Sequence, residues 1–315
     1  MKILITGAAG FVGAAVVSQA VSAGHDVVAS VRPSSRMDRL AAVLPTITLI
    51  KVDLRDLDEV SVAMREQRPD VIVHTAWSGV DSKSRNDRSQ ITDNVQSSCN
   101  LIDAGVAADV RKFVGLGSQG EYGLLSGKIS ESDLPIPTSV YGAAKLAVLH
   151  LTRQIAAQSD MSFAWLRLFS TYGPQDNPNW LIPSLIETML NGERPKTSLG
   201  IQLWDYLFID DVARGIVAAA VASDAKGVFN LGSGQPIAIR AVVEQIRELV
   251  NPGLELVFGE IEYRPDQIWH MEADISRLTA ATGWRPSVQL RSGLEATIAW
   301  HRSVRLARIS DAALD

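Results

Sequence analysis

The stretch Ile3-Leu4-Ile5-Thr6-Gly7-Ala8-Ala9-Gly10-Phe11-Val12-Gly13 decides how this chain folds. Three apolar residues form a strand-like run, a Gly-x-x-Gly-x-x-Gly loop follows directly, and Ala14-Ala15-Val16-Val17 continues as a helix. Glycine lets the backbone turn tightly after the strand, and the missing Cβ atoms let a diphosphate approach it. The following helix points its free N–H groups and positive dipole end at that diphosphate. A glycine triplet alone is a weak signal. Between a strand and a helix it reads as a dinucleotide-binding loop, with Gly7, Gly10, Phe11, Val12 and Gly13 against the cofactor.

A second segment, Tyr141-Gly142-Ala143-Ala144-Lys145, carries chemistry. Residues four apart share a helix face, so Tyr141 and Lys145 point the same way. A free phenol has a pKa of about 10, too high for a base near neutrality. A nearby ammonium favours the phenolate, and an oxidised nicotinamide adds positive charge. Lowering the pKa by about 3 units corresponds to roughly 4 kcal/mol of differential interaction. Alone, such a pair is an ordinary helix surface. Accompanied by Ser118 and the glycine loop, it reads as the proton-transfer pair of a nicotinamide-dependent site.

Strand-like runs recur at Lys2 to Thr6, Asp26 to Val31, Ile47 to Val52, Val71 to Thr75, Lys112 to Leu116 and Phe163 to Leu168, with helical stretches between them. Leu57, Val60 and Met64 show helical spacing in one of these. The alternation predicts an α/β fold, a Rossmann-type doubly wound parallel sheet with right-handed crossovers. Pro135 and Pro137 predict a loop before the helix of Tyr141. The polar tail after Arg308 is expected to fray.

At 315 residues and 46% hydrophobic, the chain supports a large core. A net charge of −5 argues against a nucleic-acid partner. Cys99 is the single cysteine, which excludes an internal disulfide and suits a reducing, cytoplasmic setting. No histidine has metal-ligand spacing with a second His or Cys, so no metal is expected. No apolar run is long enough to span a bilayer, and the N-terminus reads as the first strand rather than a signal.

The motifs together resemble the extended short-chain dehydrogenase/reductase family, in its branch of nucleotide-sugar epimerases, dehydratases and ketoreductases. They run in family order through Thr6 to Gly13, Asp53-Leu54, His74-Thr75-Ala76, Asn94-Val95, Ser118 to Gly123, Tyr141 to Lys145 and Arg167 to Pro174. Asp205-Tyr206, Asp210-Asp211-Val212, Asn230 to Gly234, Arg264 and Gly283-Trp284-Arg285-Pro286 complete the set. The resemblance implies an NADP-binding Rossmann domain from residues 1–173 with 206–234, and a smaller nucleotide-sugar-binding lobe from 174–205 and 235–315. The active site is then expected between them, at the C-terminal ends of the strands. Catalysis falls to Ser118, Tyr141 and Lys145. Asp53, Leu54, Thr75, Ala76 and Asn94 join the glycine loop on the cofactor. A homodimer through helices around residues 85–107 and 139–158 is also implied. The apolar Leu146, Val148, Leu149 and Leu151 are the sequence's own support for it.

Cofactor choice is read from the end of the second strand. NAD enzymes usually carry an acid there, about 20 residues beyond the glycines, for the ribose 2′-OH. Here Ala29-Ser30-Val31-Arg32-Pro33-Ser34-Ser35-Arg36 holds no acid. A guanidinium pairs with a 2′-phosphate that a carboxylate would repel. The stretch is similar to the corresponding run of NADP-using GDP-mannose dehydratases. Arg32 therefore favours NADP(H), with NAD(H) the alternative.

The reaction class is read from Ser118, four residues before Tyr122 of the Tyr122-Gly123 pair. In the resembled dehydratases one or both of the next two positions are acids. Here they are Gln119 and Gly120, and Glu121 comes one residue too late. Dehydration is disfavoured, and Glu121 either lines the pocket or is simply a solvated or hydrogen-bonded acid. Reduction of a keto sugar by NADPH and epimerisation with tightly held NAD both fit. The segments Gly117 to Gly123, Trp204-Asp205-Tyr206 and Phe258 to Arg264 look like those of CDP-abequose- and CDP-paratose-type 4-ketoreductases. That favours reduction of the C4 carbonyl of a nucleotide-linked 4-keto(-6-deoxy) sugar. On the substrate side the resemblance places Ser118, Gln119, Ser170 (where the family often has Asn), Trp180 and Arg264. Arg264 is the expected diphosphate ligand. Trp180 reads either as a nucleobase platform or as packing. Trp204 replaces an arginine that usually precedes the Asp-Tyr pair. A noncatalytic NADP-sensing regulator is the reading from another class. Such proteins often lose the Tyr or Lys, and this chain keeps both.

Overall fold

The structure, a computed structural model, describes residues 1–81 and 83–312, with side chains as far as Ala307. The first half runs β1 (Lys2–Thr6), α1 (Phe11–Ser22), β2 (Asp26–Val31), β3 (Thr48–Lys51), α2 (Leu57–Gln67), β4 (Val71–His74), α3 (Gln96–Ala107) and β5 (Lys112–Ser118). Then come β6 (Gly127–Ile129), α4 (Val140–Ala157), β7 (Ser162–Leu168), β8 (Ser170–Tyr172), α5 (Leu181–Leu190), β9 (Leu203–Trp204) and β10 (Tyr206–Phe208). The chain finishes with α6 (Ile209–Val221), β11 (Gly227–Leu231), β12 (Ile237–Ala238), α7 (Ile239–Val250), β13 (His270–Ala273), α8 (Ser276–Thr282) and α9 (Leu290–Ala312).

Seven parallel strands form the main sheet in the order β11-β7-β5-β4-β1-β2-β3. Ile3, Leu4 and Ile5 are buried, as a central strand covered by helices on both faces requires. Side chains of α1 and α6 fill the core on one face. Those of α2, α3 and α4 fill the core on the other. The strand order reverses between β1 and β4, so a crevice opens beyond their C-terminal ends. All six strands expected from the sequence are present. The seventh, β11, pairs in register with β7 and was not among those runs.

Within the sheet, Trp165 on β7 is fully buried against Gly115 and Gly117 of β5. A Cβ on either glycine would lie 2.4 or 2.2 Å from the indole, so only glycine admits it. The expected proline loop is present, and α4 starts after it with Ser139 as N-cap, its Oγ accepting the Gly142 N–H at 3.1 Å.

A second, four-stranded sheet has the order β12-β9-β13-β6. Its edge strand β6 comes from the range assigned to the Rossmann part, so the chain makes an excursion out to the second sheet and back that the sequence division does not contain. Two further expectations need correction. Val148 and Leu149, offered as dimer-face residues, are buried in this chain's own core beneath α4, and Leu146 packs against that core. Leu151 alone of the four is exposed, because α4 turns its other apolar positions toward the sheet. The polar tail after Arg308 continues α9 to Ala312, and residues 313–315 lie outside the described residues.

Asp205, between β9 and β10, ties the sheets together. Its fully buried carboxylate accepts the N–H groups of Ser233 (2.6 Å), Gly234 (2.9 Å) and Ala273 (3.0 Å). Asp205→Ala strands three donors and is expected to lower unfolding stability by about 3 kcal/mol in urea titration. A change within error would show that water replaces the carboxylate.

Candidate active site

The glycine loop forms a cradle closed on its protein side. Gly7 has φ +66, and a Cβ there would lie 2.6 Å from Ala76 Cα. A Cβ on Gly13 would lie 2.1 Å from the Gly7 carbonyl. No side chain caps α1, which leaves its first-turn N–H groups free for an anion. These features fit a dinucleotide diphosphate.

Thr75 Oγ1 donates to the Thr6 carbonyl (2.7 Å), joining the ends of β1 and β4. Below them Ser98 Oγ donates to Asn94 O, so it accepts from His74 Nε2–H (2.9 Å). His74 Nδ1 is then bare and accepts the Thr6 hydroxyl (2.8 Å). Burial, with the Lys145 charge nearby, pushes His74 down to about 3, so it is neutral.

Arg39, which the sequence reading missed, sits against the loop. Its guanidinium donates to Ala9 O (3.3 Å) and twice to Gln175 O (2.8 and 3.2 Å). It thereby ties the glycine loop to the turn between β8 and α5. Beside it, burial raises Asp176 to about 7. Arg39 lies in a single 3-10 turn (Asp38–Leu40), too short for any periodicity to mark it.

The reactive groups converge above β5. Ser118 ends that strand, is buried, and lies beside the Tyr141 ring across Gly120, where a Cβ would meet both at 3.4 Å. Ser118 Oγ also accepts the Gly120 N–H at 3.1 Å. Burial raises the Tyr141 phenol, outweighing the nearby Ser118 hydroxyl and the Arg85 charge, which act downward. This is opposite to the lowering expected from the Lys145 charge. Instead the Lys145 ammonium donates to Leu116 O (2.6 Å) and lies 3.7 Å from the centre of the Trp77 ring. Burial lowers Lys145 to about 7.

A family model described as the NAD dependent epimerase/dehydratase family matches residues 3–232. The chain belongs to that family. It is 30% identical to a dTDP-glucose 4,6-dehydratase of Streptomyces griseus, over 96% of this chain and 94% of that one. Its fold superposes with a TM-score of 0.87 on the UDP-glucose 4-epimerase of Thermotoga maritima with UDP-glucose, at 25% identity, covering 96% and 99%. It superposes with a TM-score of 0.84 on the Thermus thermophilus UDP-glucose 4-epimerase complex with NAD, at 26% identity, covering 96% and 99%.

Several of the motif residues serve this chain's own structure. Glu121 has no exposure, and its oxygens accept Ser118 N–H (2.9 Å), Trp165 Nε1–H (3.0 Å) and Arg167 Nε–H (2.8 Å). It is the hydrogen-bonded acid of the two readings, and it holds Ser118. Asn94 is buried, and its carboxamide binds Ser78 N (2.8 Å) and Ser78 O (3.0 Å), so it orders the turn after β4. Gln119 and Ser170 meet at 3.4 Å, and Trp204 Nε1 donates to Ser170 Oγ at 2.7 Å. Trp204, where the resemblance leads one to expect an arginine, thus hydrogen-bonds Ser170 through its indole. Trp180 is half-buried immediately before α5. Arg264 is exposed, and among the described residues its side chain forms no hydrogen bond or ion pair. Arg32 is exposed at the end of β2, where its charge reaches Asp53. The Asp53 carboxyl is held below its usual range chiefly by its bond to Arg55. Leu54 is half-buried beside it.

His74 gives a pH signature. The unfolded chain takes a proton on this residue near pH 6.5, and the folded chain resists it to about 3. Stability from this group is therefore complete above pH 6.5 and is lost as pH falls, by about 2 kcal/mol at pH 5. In urea unfolding, the change in stability from pH 7 to pH 5 should be more unfavourable in wild type than in His74→Asn by that amount. Comparing the two separates His74 from Asp176, whose raised carboxyl acts in the opposite sense.

Proposed function

We propose that the chain reduces the C4 carbonyl of a nucleotide-linked 4-keto(-6-deoxy) sugar with NADPH, using Ser118, Tyr141 and Lys145. The observation that carries this reading is the gathering of the buried Tyr141 phenol, the Ser118 side chain across Gly120 and Lys145 on the same helix, with burial holding the phenol above its ordinary value. Such a phenol holds its proton at neutral pH and is ready to donate it. The C4 carbonyl oxygen would accept from the Ser118 hydroxyl, which orients it. Tyr141 would give its proton to that oxygen as negative charge grows there. NADPH, when bound in the glycine cradle, supplies the hydride for C4. Lys145 would turn from Leu116 O to the nicotinamide ribose, and Arg264 would close on the sugar's diphosphate.

Arg32 supports the NADP(H) preference. It is exposed, and among the described residues its side chain makes no hydrogen bond or ion pair, so it is free for a 2′-phosphate. Epimerisation at C4 with bound NAD is the second reading, favoured by the likeness to the two UDP-glucose 4-epimerases. The same three residues serve it. Dimerisation through the helices around 85–107 and 139–158 goes with either reading, with Leu151 and Ile91 exposed there.

Incubation with NADPH and a panel of nucleotide 4-keto-6-deoxysugars is expected to give one equivalent of NADPH oxidised per sugar reduced. Tyr141→Phe should cut turnover by about 10² or more while cofactor binding persists. Interconversion of two sugar nucleotides without NADPH consumption would establish the epimerase reading instead.

In titrations of the two reduced cofactors, Arg32→Ala should weaken NADPH far more than NADH. Equal loss for both would remove the assignment.

A further inference from the structure

Among the described residues, one aromatic side chain touches both members of the Tyr–Lys pair. The Trp77 ring lies under the Lys145 ammonium at 3.7 Å and meets the Tyr141 ring edge-on, at 5.9 Å and 84°. We propose that Trp77 is a positioning residue of the site, whose ring face holds the Lys145 ammonium and whose N–H is pinned by Gln90. The proposal rests on the assignment of Tyr141 and Lys145 to catalysis.

The charge on Lys145 needs such support. The residue is 4% exposed and forms no ion pair among the described residues. A buried ammonium without a carboxylate is costly. Leu116 O takes one of its three N–H groups. Glu121 favours the charged form from a distance, but its oxygens already serve Arg167, Trp165 and Ser118. His74, facing from β4, is neutral. Tyr141, on the same helix face, holds its proton, and Arg85 lies over the Tyr141 ring at 5.1 Å. The indole face is the remaining stabiliser, and Trp is the strongest aromatic for a cation.

The ring is also held in place. Trp77 Nε1 donates to Gln90 Oε1 at 2.8 Å, and Asn94 Nδ2 shares that oxygen at 3.2 Å. Gln90 is fully buried, in a single stretch of π-helix (Gln90–Val95), and its Nε2 donates to Gly79 O and Ser84 O. Gly79 has φ +72, and a Cβ there would lie 2.7 Å from Gln90 Nε2, so the turn admits only glycine. The indole cannot rotate without breaking a buried bond. Its face therefore sets where the ammonium sits relative to the phenol.

The test reads Lys145 directly, by 13C-lysine NMR of the cofactor-free protein, with the resonance assigned by its loss in Lys145→Met. Removing the ring is expected to lower the Lys145 midpoint by about one pH unit in Trp77→Leu, and by less in Trp77→Phe, which keeps a weaker ring. An unchanged midpoint in Trp77→Leu would overturn the proposal. Where Trp77→Leu does not fold, Trp77→Phe decides: a lower midpoint supports it and an unchanged one overturns it. With NADPH and the keto sugar, Trp77→Leu should lower kcat at least tenfold with sugar KM kept, and Trp77→Phe should recover most of the loss. A KM effect alone would assign Trp77 to binding and overturn the positioning role. The midpoint is read without substrate, so its failure is separate from that of the reduction, which Tyr141→Phe reports.

Discussion

The structure depends on one buried carboxylate. Glu121 has no exposed surface, and a charge so placed persists only because each oxygen is matched to donors. One oxygen takes the Ser118 N–H and the Trp165 indole, and the other takes Arg167. Arg167 in turn lies 4.4 Å from the centre of the Tyr122 ring, and the Tyr122 hydroxyl donates to Asn230 Oδ1 at 2.7 Å. Asn230 reaches Ile129 O through Nδ2 (2.9 Å) and Glu131 through its backbone N–H (2.7 Å). The contacts thus run from the end of β5 to β11 and β6. A Cβ on Gly117 would strike Glu121 Oε1 at 2.4 Å, so the carboxylate and the glycine require one another. The place of the Ser118 hydroxyl is the result of this network.

Much of this was legible in the sequence, for physical reasons. The strands β1, β2 and β4 sit where the apolar runs are, because a strand buried on both faces must be apolar throughout. The glycines of the cradle were legible because each excludes a Cβ for a local reason. Tyr141 and Lys145 were legible because helix periodicity puts them together. What was not legible lies in long-range polar pairing. Arg39 grips Gln175 across 136 positions, and no pattern near either residue announces it. Glu121 was visible as an acid one position late, but its partners Trp165 and Arg167 lie on another strand. Trp77 follows a motif without belonging to it. The direction of the Tyr141 shift was misread because burial outweighs the neighbouring charge, and burial is a tertiary quantity.

The electrostatics of the site have a common cause. His74 is pushed down, Lys145 is pushed down and Tyr141 is pushed up, each with burial as the leading influence. In all three the neutral form gains. In a cleft of low polarizability, charges brought by a ligand act strongly on these groups. The fixed dipoles of the α1 N-terminus and the Arg39 guanidinium against the loop are then the standing attractions for an anion at the cradle.

The pairing of β6 with β13 bears on how the protein is made. Gly127 lies beside Met271 and Ile129 beside Ala273, so the early strand has no partner until the late one exists. A chain emerging from the ribosome from its N-terminus can assemble most of the large sheet from local crossovers. The supports of Ser118 on β7 are complete once Leu168 is made, while β6 waits for Asn230 and β13 to be synthesised. The large sheet and its cradle can therefore form on the nascent chain before the second sheet closes, an ordering built into the strand pairing itself.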